Sequence, residues 1–258
     1  MKIHILGSLS GTEPKPDRHH TSWVLELDNG DLYWFDAGES CGHTAYLMDM
    51  DLFRIKAIFI SHGHIDHTGG LLNLIGIIRK MRDLSDDGVS RKIDMYFPRP
   101  DIAEPLMRLI DAFDTAPANT ELVPHLLTGK TELVNDEITV ESMGNAHIAV
   151  PEGTPPQSFS FRISAEGRTV IFSGDVRSGE ELDPWCDRGA DLLLMENGHH
   201  SPPKLCARWK ERHCPLSRIV FLHHGREYLT WPQETLRKCR TAWGKNVDFA
   251  VDRMLLTV

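Results

Sequence analysis

The chain has 258 residues, 41% of them hydrophobic and 25% charged, with 28 Lys and Arg against 37 Asp and Glu and a formal charge of −9. This is an ordinary globular composition, long enough to bury a core without metal or disulfide staples. The negative balance argues against extended nucleic acid as a partner, while leaving room for a small basic pocket that takes one phosphate group.

No apolar run approaches the roughly 18 residues of a membrane span. Met1 to Leu6 passes through Gly7 into a polar stretch, residues 8–18, without the apolar core of an export signal. A cytoplasmic location with no membrane contact is expected. Five cysteines (Cys41, Cys186, Cys206, Cys214 and Cys239) are scattered and form no Cys-x-x-Cys pair, which argues against a disulfide framework. The unusual count is fourteen histidines.

In chain order, residues 22–27 and 31–36 read as strands around Asn29-Gly30, whose tolerance of positive φ suits a tight hairpin turn. The hairpin delivers Asp36. Residues 54–61 read as a buried strand, followed by a Gly- and His-rich loop and then by Leu71, Leu74, Ile75, Ile78 and Met81 at helical spacing. A further helix is expected near residues 101–113. Residues 138–143, 158–164 and 168–173 read as strands, the last two joined by Ala165-Glu166-Gly167. Helices near 204–212 and 233–243 then flank a strand at 219–222. With no repeat and no linker, one domain over residues 1–258 is expected, helices covering mixed sheets.

The densest signal is Ser61-His62-Gly63-His64-Ile65-Asp66-His67-Thr68-Gly69-Gly70, with four metal-capable side chains in six residues directly after an apolar strand. His and carboxylate are the ligands zinc takes when thiolates are absent. Alternate side chains of extended backbone share a face, so His62 and His64 point together while the next turn carries Asp66 and His67 to a second point. A solvated loop with Asp66 as a helix N-cap is the bland alternative, and it leaves three histidines unexplained. Further ligands follow other strands: His147 after 138–143, Asp175 after 169–173, His223 after 219–222. Asp175 could bridge two cations with its two oxygens, His147 completing one site and His223 the other.

Asp36, His62-x-His64-x-Asp66-His67, His147, Asp175 and His223, in that order, resemble the motifs of the metallo-β-lactamase-fold hydrolases across residues 36–223. The resemblance implies an α/β chain folded as an αββα four-layer sandwich with a dinuclear site at one edge. By similarity His62, His64 and His147 hold one divalent ion, Asp66, His67 and His223 the other, and Asp175 lies between. Asp36 would orient the ligand loop from behind. Zinc is favoured because His64 stands where the flavodiiron members carry Glu, with manganese or iron left open. His223 is preferred to His224 because neighbouring strand residues point to opposite faces.

Within that family, Asp175 separates the chain from the true β-lactamases and leaves phosphodiesterases, ribonuclease Z-like proteins, thioesterases and lactonases. The opening Leu6-Gly7-Ser8-Leu9-Ser10-Gly11-Thr12-Glu13-Pro14 and the segment Asp36-Ala37-Gly38-Glu39 resemble the ribonuclease Z branch. Two departures stand out. The 28 residues from His147 to Asp175 leave no room for that branch's tRNA-clamping arm. Met195-Glu196-Asn197-Gly198 stands where the branch carries His-Glu-Ala-Thr, which keeps Glu196 behind the site but replaces the histidine by Met195.

His199 or His200 would then take over proton handling, joining Asp66 as catalytic residues. The expected reaction is hydrolysis of a small phosphodiester, cyclic or nucleotide-type, by hydroxide held between two ions. Lactone or thioester hydrolysis and tRNA 3′ processing are alternatives, and a metal-binding sensor or partner protein is the non-enzymatic one. The partner expected is a small ester substrate; a homodimer is compatible with the sequence. Lys15 and Arg18 are candidates to meet a phosphate, set against plain surface solvation.

Overall fold

The computed structural model describes residues 1–83, 91–113, 120–244 and 246–258. The first half runs β1 (Lys2–Gly7), β2 (Ser22–Glu26), β3 (Leu32–Phe35), α1 (Cys41–Leu47), β4 (Ile55–Phe59), α2 (Ile65–Thr68), α3 (Leu71–Asp83), β5 (Arg91–Phe97), α4 (Pro100–Phe113) and β6 (Thr120–Leu126). The second runs β7 (Thr131–Val134), β8 (Ile138–Gly144), β9 (Phe159–Ala165), β10 (Arg168–Phe172), α5 (Asp183–Cys186), β11 (Leu192–Asn197), α6 (Pro202–Glu211), β12 (Ile219–His224), α7 (Arg226–Thr230), α8 (Pro232–Ala242), β13 (Val247–Phe249) and β14 (Leu255–Thr257).

The strands form two mixed seven-stranded sheets, ordered β14-β1-β2-β3-β4-β5-β6 and β13-β12-β11-β10-β9-β8-β7. Their central strands are apolar on both faces, as strands covered on both sides must be. In β2, Trp23 and Leu25 face the gap between the sheets while Val24 joins the outer core; in β12, Val220 and Leu222 face inward and Phe221 outward. Rings interlock across the inner layer: Trp23 stacks on Phe35 at 4.3 Å, Phe35 on Phe59 at 5.0 Å and Phe59 on Tyr96 at 4.5 Å. Residues of α1, α3 and α4 close the outside of the first sheet, and Trp185, Cys206, Trp209 and Cys239 of α5, α6 and α8 close the second. The layers are therefore αββα. No helix among the described residues is long and apolar enough to cross a membrane.

Three helices start with proline, at Pro100, Pro202 and Pro232, where the missing N–H costs nothing. The first hairpin differs from the tight turn expected. Its strands are shorter and five residues connect them, with Gly30 at φ 88° and Asn29 Oδ1 accepting from the Asp31 N–H. Strands β1, β5, β6, β7, β11, β13 and β14 go beyond the elements expected from the sequence. Leu192–Asn197 is buried throughout, and such a run carries no period to tell strand from helix.

The ends of β3, β4, β8, β10, β11 and β12 meet at one edge of the sandwich. There the Phe159 N–H donates to the Ser61 carbonyl at 3.0 Å, tying the loop after β4 to the start of β9 in the other sheet. Loops beyond the carboxyl ends of strands are where open α/β sheets build sites.

Candidate metal centre

The backbone stays extended through His64 (φ −66°, ψ 150°), which caps the single turn α2. Asp66 is therefore not the N-cap; it lies in the first turn of α2, with His67 behind it. Extended chain followed by one helical turn separates the four side chains into two pairs. His62 and His64 meet His147 and Asp175, whereas Asp66 and His67 meet His223. His199 also comes within reach of Asp175 and His223.

In the first cluster His147 Nε2 lies 3.3 Å from His64 Nδ1, and Asp175 Oδ2 is 3.6 Å from His147 Nε2 and 3.8 Å from His62 Nε2. In the second, Asp66 Oδ2 is 3.2 Å from His223 Nε2 and 3.5 Å from His67 Nε2. The other oxygen of Asp175, Oδ1, lies 3.4 Å from His67 Nε2 and 3.3 Å from His223 Nε2. One carboxylate thus turns an oxygen to each cluster.

His62 Nε2, His67 Nε2 and Asp175 Oδ1 are buried and make no hydrogen bond. A buried polar atom left unpaired costs about 1–3 kcal/mol, so lone pairs converging in this way fit bound cations. The donor set of imidazole and carboxylate is the one zinc takes in thiolate-free sites.

Without a cation, the centre neutralises itself. Burial opposes charge on His67 and His223, but Asp175 with Asp36 holds His67 well above the ordinary histidine range, and Asp175 with Asp66 brings His223 up to about 9. Burial likewise opposes ionisation of Asp175, and the imidazoles of His223 and His67 outweigh it, keeping the carboxyl well below its usual range. Burial, reinforced by His67, pushes His62 well down. The two raised imidazoles, His67 and His223, thus both belong to the second cluster.

Two carboxylates stand behind the ligands. Asp36, fully buried at φ 54°, accepts from the Ser61 N–H at 2.7 Å, from Ser61 Oγ at 2.8 Å and from His67 Nδ1 at 2.8 Å. Glu196, equally buried, accepts from the His199 N–H at 3.0 Å and from His199 Nδ1 at 3.1 Å, and lies 3.7 Å from His223 Nδ1. The hydrogen bonds fix which ring nitrogen His67 and His199 present.

The two histidines after Glu196 diverge. His199 lines the cleft, its Nδ1 3.8 Å from Asp175 Oδ2. His200 turns underneath, where Nε2 meets the Val176 carbonyl at 3.0 Å and Glu196 Oε1 at 3.2 Å. Met195 is buried in the outer core of the second sheet and cannot reach the cleft.

His223 faces the cluster and His224 does not, for a reason other than simple alternation. Leu222 points between the sheets, so strict alternation would send His223 outward with Phe221. Instead His223 adopts φ 54°, and the pairing of β11 with β12 shifts by one residue between Glu196 and Asn197. That bulge re-aims the side chain. His224 is buried, its Nε2–H donating to the Ala250 carbonyl at 2.7 Å and its Nδ1 accepting from the Asn197 amide at 3.1 Å. Burial pushes its pKa down to about 3.

The cleft over the centre has a volume of about 450 Å³. Glycines make room at its walls: a Cβ on Gly11 would sit 2.9 Å from Asp66 Oδ2, and one on Gly198 would sit 2.6 Å from His223 Nδ1. Ser61 and Gly198 stand in the motifs quoted from the sequence but were given no role there, and Arg226 was not singled out. Ser61 directly precedes the histidine motif, which is the signal that could have marked it; Arg226 carries none apart from its place after His223.

A Beta-lactamase superfamily domain model matches residues 34–228. Ribonuclease Z from Prochlorococcus marinus strain NATL2A is 35% identical over 214 residues, 80% of this chain and 64% of that protein. The chain spans 52% of the Nostoc punctiforme Ribonuclease Z, so it covers about half to two thirds of these relatives' length. Among solved structures, the short form of human tRNase Z superposes with a TM-score of 0.75 at 21% identity, covering 100% of this chain and 99% of that one. A diphosphatase of the PhnP family gives 0.65 at 16% identity, covering 100% and 97%. With the matched domain model spanning most of its length, this chain belongs to the beta-lactamase superfamily and has the metallo-β-lactamase fold.

Proposed function

We propose that this chain is a dinuclear metal-dependent hydrolase that cleaves phosphodiester bonds in a small, cyclic or nucleotide-type substrate, and that it works in the cytoplasm. The observation that carries this reading is Asp175, whose two oxygens face two separate histidine clusters around unpaired buried nitrogens. The names of its relatives, Ribonuclease Z and a PhnP-family diphosphatase, favour phosphoester chemistry over lactones and thioesters.

His62, His64 and His147 would hold one ion, and Asp66, His67 and His223 the other, with Asp175 shared. Bound divalent ions supply a water nucleophile at neutral pH and offset charge on the phosphoryl oxygens. Asp36 keeps His67 presenting Nε2. Glu196 engages His199 Nδ1, leaving Nε2 as the nitrogen that gives a proton to the leaving alkoxide. His200, bonded to the main chain beneath, takes no part in the reaction.

The test is metal content and turnover on one preparation. Zinc- or manganese-loaded protein should hold two ions per chain and hydrolyse bis-p-nitrophenyl phosphate faster than a lactone and thioester panel. Metal content staying near zero after reconstitution, or preference for the carbonyl substrates, overturns the reading.

A second reading, 3′ processing of precursor tRNA, is favoured by the 35% identity to a Ribonuclease Z. Against it, the residues from His147 to Asp175 are taken up by one loop and the β9–β10 hairpin. Poor cleavage of precursor tRNA is expected, and efficient position-specific 3′ cleavage at low protein concentration would reverse the order of the two readings.

A further inference from the structure

A second cleft, of about 460 Å³, opens beside the metal centre and shares Arg226 with it. Glu13, Lys15, Asp17, Arg18 and Tyr228 also line it. In a chain of net charge −9, this wall is unusual in setting three cations against two carboxylates.

Arg18 and Tyr228 form its fixed side. Arg18 Nη1 donates to Ser8 Oγ at 2.7 Å and to the Ala250 carbonyl at 3.2 Å, while its guanidinium lies 5.9 Å above the Tyr228 ring. Tyr228 in turn stacks on Phe249 at 4.1 Å. The mouth is looser. Lys15 Nζ donates to Glu13 Oε1 at 3.0 Å, and Arg226 Nη2 donates to Glu13 Oε2 at 3.5 Å. The Glu13 carboxylate is therefore a negative group held between two cations beside the metal cleft. Its side chain is 54% exposed and that of Arg226 is 81% exposed. Ion pairs this exposed contribute little, so an external anion of higher charge can replace the carboxylate at small cost.

We propose that this second cleft binds a second phosphate of the substrate, gripped by Lys15 and Arg226 in the place the Glu13 carboxylate holds. The inference rests on the phosphodiesterase reading of the metal centre and narrows it. The preferred substrate carries two phosphates, one cleaved at the metal centre and one seated here, as in a phosphorylated dinucleotide. Arg226 supplies a planar fork and Lys15 a point charge, a pair suited to a phosphate with several acceptor oxygens. Glu13 acts as a gate by charge: it keeps the cations apart from weak anions and yields to a dianion.

Calorimetry on metal-loaded chain, comparing adenosine 3′,5′-bisphosphate with adenosine 5′-monophosphate, neither of which contains a phosphodiester, tests this without any turnover. The bisphosphate should bind about tenfold more tightly, with the margin shrinking as salt rises. The double variant Lys15→Ala, Arg226→Ala should erase the margin, and Glu13→Gln should widen it. Equal binding of the two nucleotides, no measurable binding of the bisphosphate, or a margin that survives the double variant overturns the subsite. A parallel assay separates the two readings: metal-loaded wild type should hydrolyse bis-p-nitrophenyl phosphate, which has one phosphate. If wild type cleaves no phosphodiester, the phosphodiesterase reading fails; if it cleaves this one while the nucleotides bind alike, the subsite alone fails.

Discussion

His67 Nδ1 lies 2.8 Å from Asp36 Oδ2, and both side chains are fully buried. The contact commits His67 to presenting Nε2 toward Asp66 and Asp175. Asp36 reaches this position from a left-handed backbone at the end of β3, a conformation that costs a non-glycine residue roughly 1–2 kcal/mol. The three hydrogen bonds its carboxylate accepts offset that strain.

Asp36→Asn isolates the charge, because Asn tolerates positive φ and keeps the size. An amide offers one acceptor oxygen and an NH₂ where the native carboxylate meets three donors. Metal affinity is expected to fall about 10–100-fold with circular dichroism unchanged. Native affinity measured by competition with a chromophoric chelator would remove Asp36 from the orienting role.

His223→Ala and His224→Ala should separate metal binding from stability. His223→Ala is expected to lose metal and activity, and Asp175→Ala should be at least as damaging because its two oxygens serve both clusters. His224→Ala deletes a buried ring with two hydrogen bonds and should cost about 2–4 kcal/mol, or roughly 5–15 °C in Tm, while keeping two ions. Elemental analysis and thermal melts together check the pair, and the reverse pattern of metal loss would reassign the ligand.

His224 also predicts a pH dependence. Burial brings its pKa down to about 3 in the folded chain, below the ordinary 6.5 of the unfolded one. The unfolded state then binds the extra proton first, so this contribution is intact above about pH 6.5 and declines as pH falls toward 3. In chelator-treated samples, denaturant midpoints should drop less steeply between pH 6.5 and 4 for His224→Gln than for wild type. Parallel slopes would show that His224 carries no proton linkage.

Glu196 and His199 predict a leaving-group signature. The Glu196 carboxylate raises the His199 pKa, its hydrogen bond outweighing burial. His199→Ala should lower kcat about 10²–10⁴-fold for alkyl leaving groups that need a proton, and far less for p-nitrophenolate. Glu196→Gln removes the charge that raises the pKa, so the alkaline limb of the kcat profile should move to lower pH. A uniform loss on both leaving groups, with an unmoved limb, would limit His199 to binding.

The grouping of the candidate ligands was legible because their signal is local. His62, His64, Asp66 and His67 lie in one loop, where the geometry of an extended segment and one helical turn already separates them into two pairs. The helices beginning at Pro100, Pro202 and Pro232 were legible to within two residues for the same reason, their amphipathic spacing and punctuation being properties of short windows. Strands such as Arg91–Phe97 and Leu192–Asn197 were not, since what makes them strands is pairing with segments elsewhere in the chain. Only the tertiary structure set His199 in the cleft and His200 beneath it, joined Lys15 and Arg18 to Arg226, and aimed His223 by a bulge instead of by alternation. Each of these depends on a backbone angle or a strand register set by packing across the whole sheet, and no run of neighbouring residues encodes it.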